Sequence, residues 1–391
     1  MIYLDNAATS FPKPAGMAEA MLEHMASWCG NPGRSGHMMS RKTSEAIDQT
    51  RRLLADFLGC NEPSRIIFTG NATSALNLAI HGVLNEGDHV VTTSMEHNSV
   101  LRPIVAAGAD YTIVPCACDG SLNPSKVAAA IRSNTRLIAC THASNVTGTI
   151  MPVDNIIEIC RRHNRKTIRQ NEILLLVDAS QTMGHIPVSV AGVDLLAAPG
   201  HKGLLGPMGT GFLYVRPGLK LRPLMQGGTG TYSKLLDPPL EFPESFEAGT
   251  VNAPGIIGLR HSLKYLRNAC RDDSVVSVLD QSLRNMKKVR VYGPEAPDKK
   301  VGIVTFNIDG WDSRDVASLL NDNYGIATRA GFHCAGLAHK TIGTWDTGAV
   351  RMSLGLFNNM RQVELAADAV YKISKLAPGS SPAARASGCS R

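Results

Sequence analysis

Ile173-Leu174-Leu175-Leu176-Val177-Asp178, followed downstream by Asp194-Leu195-Leu196-Ala197-Ala198-Pro199-Gly200-His201-Lys202-Gly203, decides how this chain folds. Both stretches are short, apolar almost throughout and bounded by turn-forming residues. Strands buried on both faces of a parallel sheet read this way. The first strand ends in a carboxylate, which is costly to bury and asks for a cationic group beside it. The second runs into a glycine-rich loop that carries an amine, Lys202.

Working outward, the same pattern recurs as RIIFT (65–69), HVVTT (89–93), YTIVP (111–115), RLIACT (136–141) and TGFLYV (210–215), with helical stretches between. In residues 41–58 the apolar pairs Ala46/Ile47, Leu53/Leu54 and Phe57/Leu58 recur at a helical period that Gly59 closes. Strands alternating with helices predict an α/β fold: a large, mostly parallel seven-stranded sheet covered on both faces, plus a smaller α/β domain. The smaller domain is expected from a long helical segment after Gly255, the strands VRVYG and VGIVTFNI, and helices near 314–321 and 360–376. The expected boundaries are 13–258 for the large domain, 1–12 with 259–376 for the small one, and 377–391 as a mobile tail of small and polar residues.

A length of 391 residues predicts two or three domains at about 150 residues each. With 43% hydrophobic residues the chain can bury a core, which excludes global disorder. No apolar run reaches the roughly 20 residues of a membrane span, and MIYLDNAATSFPKP lacks a basic start followed by an apolar stretch. A cytoplasmic protein is the expectation. The formal charge of +7 suits anionic small ligands, and no nucleic-acid-binding motif accompanies it. The basic cluster Arg161, Arg162, Arg165, Lys166 and Arg169 reads as a solvated helix end and loop. Nine cysteines without a CxxC pair argue against a disulfide framework and against a zinc knuckle, so no metal site is expected.

In doubly wound sheets, function collects just beyond the strand ends. After RIIFT, the turn Gly70-Asn71-Ala72-Thr73-Ser74 leads into a helix whose free N–H groups could hold a phosphate, or whose start Asn71 or Thr73 could simply cap. Lys202 could be an amine suited to Schiff-base formation or a phosphate-loop lysine, but GxxxxGK[ST] is absent. GPMGTG (206–211) does not match the dinucleotide fingerprint either. A buried acid and an amine on neighbouring strand ends instead fit pyridoxal phosphate, whose ring nitrogen takes an acidic partner and whose aldehyde takes an amine.

The ordered string FTGNATSALNLAI, MEHNSV, HASNVTGTI, VDASQ, PGHKGLLGPMGTG, FEAGTVNAPGIIGL, RAGFHCAG and VRMSLGLFN resembles class V aminotransferase-type pyridoxal phosphate proteins of fold type I. More narrowly, it is similar to group II (Suf-type) cysteine desulfurases and the related selenocysteine lyases. The resemblance runs from YLDNAATSFPKP to about Leu376. It implies that Lys202 bonds the cofactor, Asp178 faces the pyridinium nitrogen, Gln181 bonds the phenolic oxygen and His97 stacks on the ring. It implies phosphate contacts from Thr73, Ala72 and His201, with Thr250 serving the site of a second subunit in a homodimer. Asn145, Arg351, Arg329 and His37 match substrate-binding positions, Arg351 as a fork for the carboxylate. Cys334 matches the nucleophile of RxGHHCA, which takes sulfur from L-cysteine as a persulfide, leaving L-alanine. A sulfur-acceptor protein is the implied partner.

The chain departs from the family in three places. Pro199 stands where relatives carry Ser or Thr, removing one hydroxyl from the phosphate site. Phe332 replaces the first histidine of GHHC, making the thiol's surroundings more apolar, a change that raises a thiol's pKa. Residues 165–171 look like an insertion. The same fold also serves selenocysteine lyases, cysteine-sulfinate desulfinases, other C–S lyases and aminotransferases, so fold and cofactor leave these open. They also leave open iron–sulfur assembly, RNA thio-modification or selenium metabolism as the destination. A non-catalytic scaffold is disfavoured by the joint presence of Lys202, Asp178, His97, Arg351 and Cys334. The isolated histidines His24, His81, His163 and His185 read as surface or core residues.

Overall fold

The computed structural model describes residues 1–33, 36–165, 172–229, 234, 236 and 241–378. The seven apolar runs form one seven-stranded sheet. They are β2 (Ile66–Thr69), β3 (His89–Thr93), β4 (Asp110–Val114), β5 (Thr135–Thr141), β6 (Leu174–Asp178), β7 (Leu195–Pro199) and β8 (Gly211–Val215). Their order is β2-β8-β7-β6-β5-β3-β4. β8 runs antiparallel to both neighbours, and every other adjacent pair is parallel.

Period-two alternation supplies both apolar faces. Leu174 and Leu176 of β6 pack on one side with helices α3 (Ala72–Val83) and α4 (Asn98–Ala106). Leu175 and Val177 pack on the other with α2 (Met38–Leu58), α6 (Val153–Asn164) and α7 (Ala253–Leu266). Because β2, β3, β5, β6 and β7 are mutually parallel, their carboxyl ends share one edge. The residues that follow them, 71–73, 96–97, 145, 178–181 and 201–202, are thereby gathered from distant parts of the chain.

A second core surrounds an antiparallel sheet of order β12-β13-β10-β9. Its strands are β9 (Val289–Tyr292), β10 (Ile303–Ile308), β12 (Arg329–Gly331) and β13 (Ala349–Ser353). The N-terminal strand β1 (Ile2–Tyr3) pairs in parallel with β11 (Ile326–Ala327), and Leu4 enters the second core. Helices α9 (Ser313–Tyr324) and α11 (Met360–Lys375) stand where the sequence places helices. The long helical segment expected after Gly255 is divided into α7 and α8 (Ser274–Arg284). Between them, just before α8, Asp272 accepts hydrogen bonds from the Ser274 amide and hydroxyl, while the nearby Arg271 turns inward to the ring of His185. Helix α1 (Met17–Ser27) has no counterpart in the sequence reading. Arg161 pairs with Glu158 on the solvated end of α6. Lys166 and Arg169, most of the insertion at 165–171, and nearly all of the tail from 379 onward lie outside the described residues.

FEAGT is anchored by charge. Glu247 accepts two hydrogen bonds from Arg51 of α2 at 2.8 and 3.0 Å and one from the Phe68 amide at 2.6 Å. Both side chains are buried, at 7% and 10% exposure. Removing one partner leaves the other charge buried, so Glu247→Ala is expected to cost about 3–5 kcal/mol. Urea unfolding should show a lowered midpoint at unchanged slope.

Candidate active site

At the carboxyl edge of the large sheet lies a cavity of about 90 Å³. Ala72, Thr73, His97, Asn145, Asp178, Gln181, Pro199, His201 and Lys202 all line it. Most of the expected cofactor and substrate positions therefore share one wall system. The loops carrying them touch backbone to backbone: a Cβ on Gly184 would overlap the carbonyl of Gly203, and one on Gly203 would overlap the carbonyl of Met183. Glycine at both places lets the Asp178–Gln181 turn approach the Lys202 loop.

Asp178 ends β6, and its Oδ1 accepts hydrogen bonds from the Ser180 amide at 2.9 Å and the Ser180 hydroxyl at 2.5 Å. Lys202 Nζ has no hydrogen-bond or ion-pair partner among the described residues. Burial lowers its pKa to about 8, against the opposing pull of Asp178. Burial, then the charges of Lys202 and Lys13, lowers His201 to about 4, and its Nδ1 is buried without a partner. His97 caps α4 through Nδ1, which contacts the Ser99 amide and hydroxyl, and burial lowers its pKa. Thr73 Oγ1 meets the same Ser99 hydroxyl at 2.8 Å. Asn71 caps α3, its Oδ1 accepting from the Ser74 amide at 2.9 Å. The amides of Ala72 and Thr73, in the first turn, are left to face an anion.

Cys334 lies beyond β12 and is exposed to solvent. His333 and Cys334 both adopt left-handed backbone angles, with φ of 50° and 57°. Non-glycine residues rarely hold this conformation unless their surroundings enforce it. Here the Asn145 side-chain amide donates to the His333 carbonyl at 2.7 Å, and the Asn98 amide to the Cys334 carbonyl at 2.9 Å. The loop is thus tied directly to the residues beside His97. Cys334 lines a second, open cavity of about 380 Å³, which shares Thr73, His97 and Ser99 with the first. Phe332 contacts Trp345 and His339 edge-on. His333 is buried and stacks on His339, which in turn meets Thr344 Oγ1 at 2.8 Å. Burial pushes both imidazoles down, His339 to about 4, so both are neutral near pH 7.

Arg329 and Arg351 are cross-strand partners on β12 and β13. Arg351 is 1% exposed and pairs with Asp5 at 2.9 Å. Arg329 is half-buried, with no partner for its guanidinium among the described residues. His37 is exposed and caps α2 through the Ser40 amide, lining neither cavity. Thr250 is also exposed, on the wall of a neighbouring cavity of about 460 Å³ that reaches the first through Thr73.

An aminotransferase class-V family model matches residues 2–365. The chain belongs to the class-V aminotransferase family. A probable cysteine desulfurase of Methanothermobacter thermautotrophicus is 33% identical to this class-V chain, covering 95% of it and 94% of the relative. A cysteine desulfurase of Shigella sonnei is 30% identical, covering 96% of this chain and 94% of its own. Among solved structures, the apo structure of a cysteine desulfurase from Thermococcus onnurineus NA1 superposes with a TM-score of 0.86 at 32% identity. That match covers 96% of this chain and 94% of the other.

The class-V site also uses residues that the sequence reading passed over. Ser180 holds Asp178, and Ser99 holds His97 and Thr73. Ser180 follows Asp178 and Ser99 follows His97 by two residues, the spacing of a local side-chain turn, so that signal was available, whereas Thr73 meets Ser99 only through the fold. Glu96 is wholly buried, accepting from the Thr93 hydroxyl at 2.6 Å and the Thr141 amide at 3.0 Å. Burial raises its pKa to about 8. Asp5 and Lys13 reach the site only through the fold.

Proposed function

We propose that this protein is a pyridoxal phosphate-dependent cysteine desulfurase of the group II type, acting on L-cysteine. The observation that carries this reading is the wall of Thr73, His97 and Ser99, common to the cavity holding Lys202 with Asp178 and to the one holding the Cys334 thiol. The donor set fits the cofactor: a partnerless amine at Lys202, a buried unpaired Nδ1 at His201, and an acid at Asp178 whose second oxygen is uncommitted. Lys202, Asp178, Gln181, His97, Thr73, Ala72 and His201 would hold it, with the Ser99 hydroxyl nearby where Pro199 offers none. When bound, pyridoxal phosphate supplies an aldehyde for amines and a ring that accepts the electron pair released at the α-carbon.

The remaining work falls to this chain's own groups. Lys202, neutral above about pH 8, would hold the cofactor's aldehyde through its amine and is the base placed to take the substrate α-proton. Asp178 would hold the cofactor's ring nitrogen in its protonated form. Asn145 and an arginine orient the substrate. The Cys334 thiolate attacks the substrate sulfur: the S–S bond forms as the Cβ–S bond breaks, and the carbon takes up a proton. L-cysteine and one thiol become L-alanine and one persulfide, with no external oxidant.

Brief exposure to L-cysteine followed by mass spectrometry should show one extra sulfur on the peptide containing Cys334. Its absence, with the cofactor bound, defeats the reading. Because the lysine must be neutral to condense, capture of pyridoxal phosphate by the apoprotein should accelerate as pH rises through about 8 and then level off. Stopped-flow absorbance checks this.

The same reading extends to a homodimer, in which Thr250 of one copy serves the phosphate site of the other through the Thr73 wall. It extends also to a sulfur-acceptor protein meeting the exposed Cys334, and to a cytoplasmic location. Among the described residues no helix is long and apolar enough to cross a membrane. The division into 13–258, and 1–12 with 259–376, is proposed on the two main cores, although Leu259 and Leu263 of α7, and Ala335, Ala338 and Ile342 beyond β12, pack into the first.

A further inference from the structure

Arg351 should present a fork to a carboxylate, yet two of its three guanidinium nitrogens are engaged within the protein. Nη2 donates to Asp5 Oδ1 at 2.9 Å, and Nη1 donates to the Asn145 carbonyl at 2.9 Å. Nε is buried without a partner. A guanidinium binds a carboxylate best with two parallel N–H bonds, and the edge formed by Nε and Nη2 is one such pair. Asp5 meets one member of that edge and leaves the other unsatisfied. A second carboxylate, offering an oxygen to each, satisfies the buried Nε–H and takes the place of Asp5 on Nη2. The exposures suit this exchange: the Asp5 side chain is 21% exposed and can turn to water, whereas that of Arg351 is 2% exposed and cannot.

Asp5 is also the head of a strap that touches the rest of the site. Its carbonyl accepts from the Ala8 amide at 3.0 Å and the Tyr3 hydroxyl at 3.2 Å. Ala7 holds Gln181 through its carbonyl at 3.1 Å. Further along, four donors converge on the carbonyl of His201, the residue before Lys202. They are the Ser10 amide at 3.0 Å, the Thr9 and Ser10 hydroxyls at 3.1 Å each, and Lys13 Nζ at 3.0 Å.

We propose that Asp5 is a specificity-determining residue: it holds Arg351 until a substrate's α-carboxylate replaces it, so that amines lacking a carboxylate leave the strap closed. This rests on the reading that the substrate is an α-amino acid. Holding Arg351 in the Asp5-bound arrangement weakens carboxylate binding by the fraction of molecules so held.

The experiment is a titration of the holoenzyme with L-alanine and with L-alaninamide, followed by cofactor absorbance. Asp5→Asn is expected to bind L-alanine about tenfold more tightly, with L-alaninamide unchanged. A part that merely braces the fold would weaken both. Unchanged or weaker L-alanine binding overturns the proposal and places the carboxylate elsewhere, with Arg329 the neighbouring cation. Should the variant not fold, hydrogen exchange on the unaltered holoenzyme decides: saturating L-alanine should speed exchange at Ala8, and L-alaninamide should not. Protection or no change at Ala8 overturns the proposal. If the unaltered holoenzyme binds no L-alanine, the amino-acid reading falls and takes the proposal with it. If L-alanine opens the strap while L-cysteine leaves no persulfide on Cys334, the desulfurase reading fails and the role of Asp5 stands.

Discussion

Lys202→Ala is expected to lower L-cysteine desulfuration on the order of 10³-fold or more, because one amine is asked to supply both covalent attachment and proton transfer. The fold should survive. Lys202 Nζ makes no hydrogen bond or ion pair among the described residues, and removing a desolvated amine relieves a burial cost that already lowers its pKa to about 8. Borohydride reduction gives a second readout: the cofactor should be fixed to the peptide containing residue 202 in the unaltered protein and released from the variant. A variant that retains near-normal desulfuration would mean that another amine does this work, and the proposed roles in the cavity would have to be redrawn.

Cys334→Ser should leave cofactor absorbance and binding of L-alanine intact while sulfur transfer from L-cysteine falls by roughly 10²-fold or more. Serine keeps the size of the side chain but offers a hydroxyl that does not ionise near neutral pH. The left-handed backbone at 333–334 is held by Asn145 and Asn98 through main-chain carbonyls, so it does not depend on the sulfur. Measuring alanine and sulfide separately sharpens the test. Undiminished release of both would remove the persulfide step while leaving the cofactor chemistry standing.

Much of the architecture was legible because it is encoded locally. Each of the seven apolar runs became a strand of one sheet, with ends displaced by a residue or so. Leu174-Leu175-Leu176-Val177 reads as doubly buried because alternate side chains serve opposite faces, whatever lies around them. Asp178 and Lys202 stood out because ionisable groups at the ends of such strands are costly unless used. Other features resisted. The turn at Asp272 that divides α7 from α8 depends partly on Arg271 reaching His185, a contact across the fold. His37, expected near substrate through the family resemblance, also caps α2 by accepting from the Ser40 amide, a contact the sequence reading did not foresee.

By itself, then, the sequence determined the large α/β sheet and the acid and amine on adjacent strand ends, through periodicities and spacings of a few residues, whereas Cys334 stood apart from the other cysteines only through the family resemblance of RAGFHCAG. Only the tertiary structure decided what those groups face. It paired Asp5 with Arg351 across 346 positions of chain, laid Thr9, Ser10 and Lys13 on the carbonyl of His201, and put Thr73 on the wall shared by two cavities. The physical reason is that burial and ion pairing are properties of the packed interior. Removing a guanidinium from water makes its partner a matter of which chain segments arrive beside it, and no local pattern in the residues around either charge records that meeting.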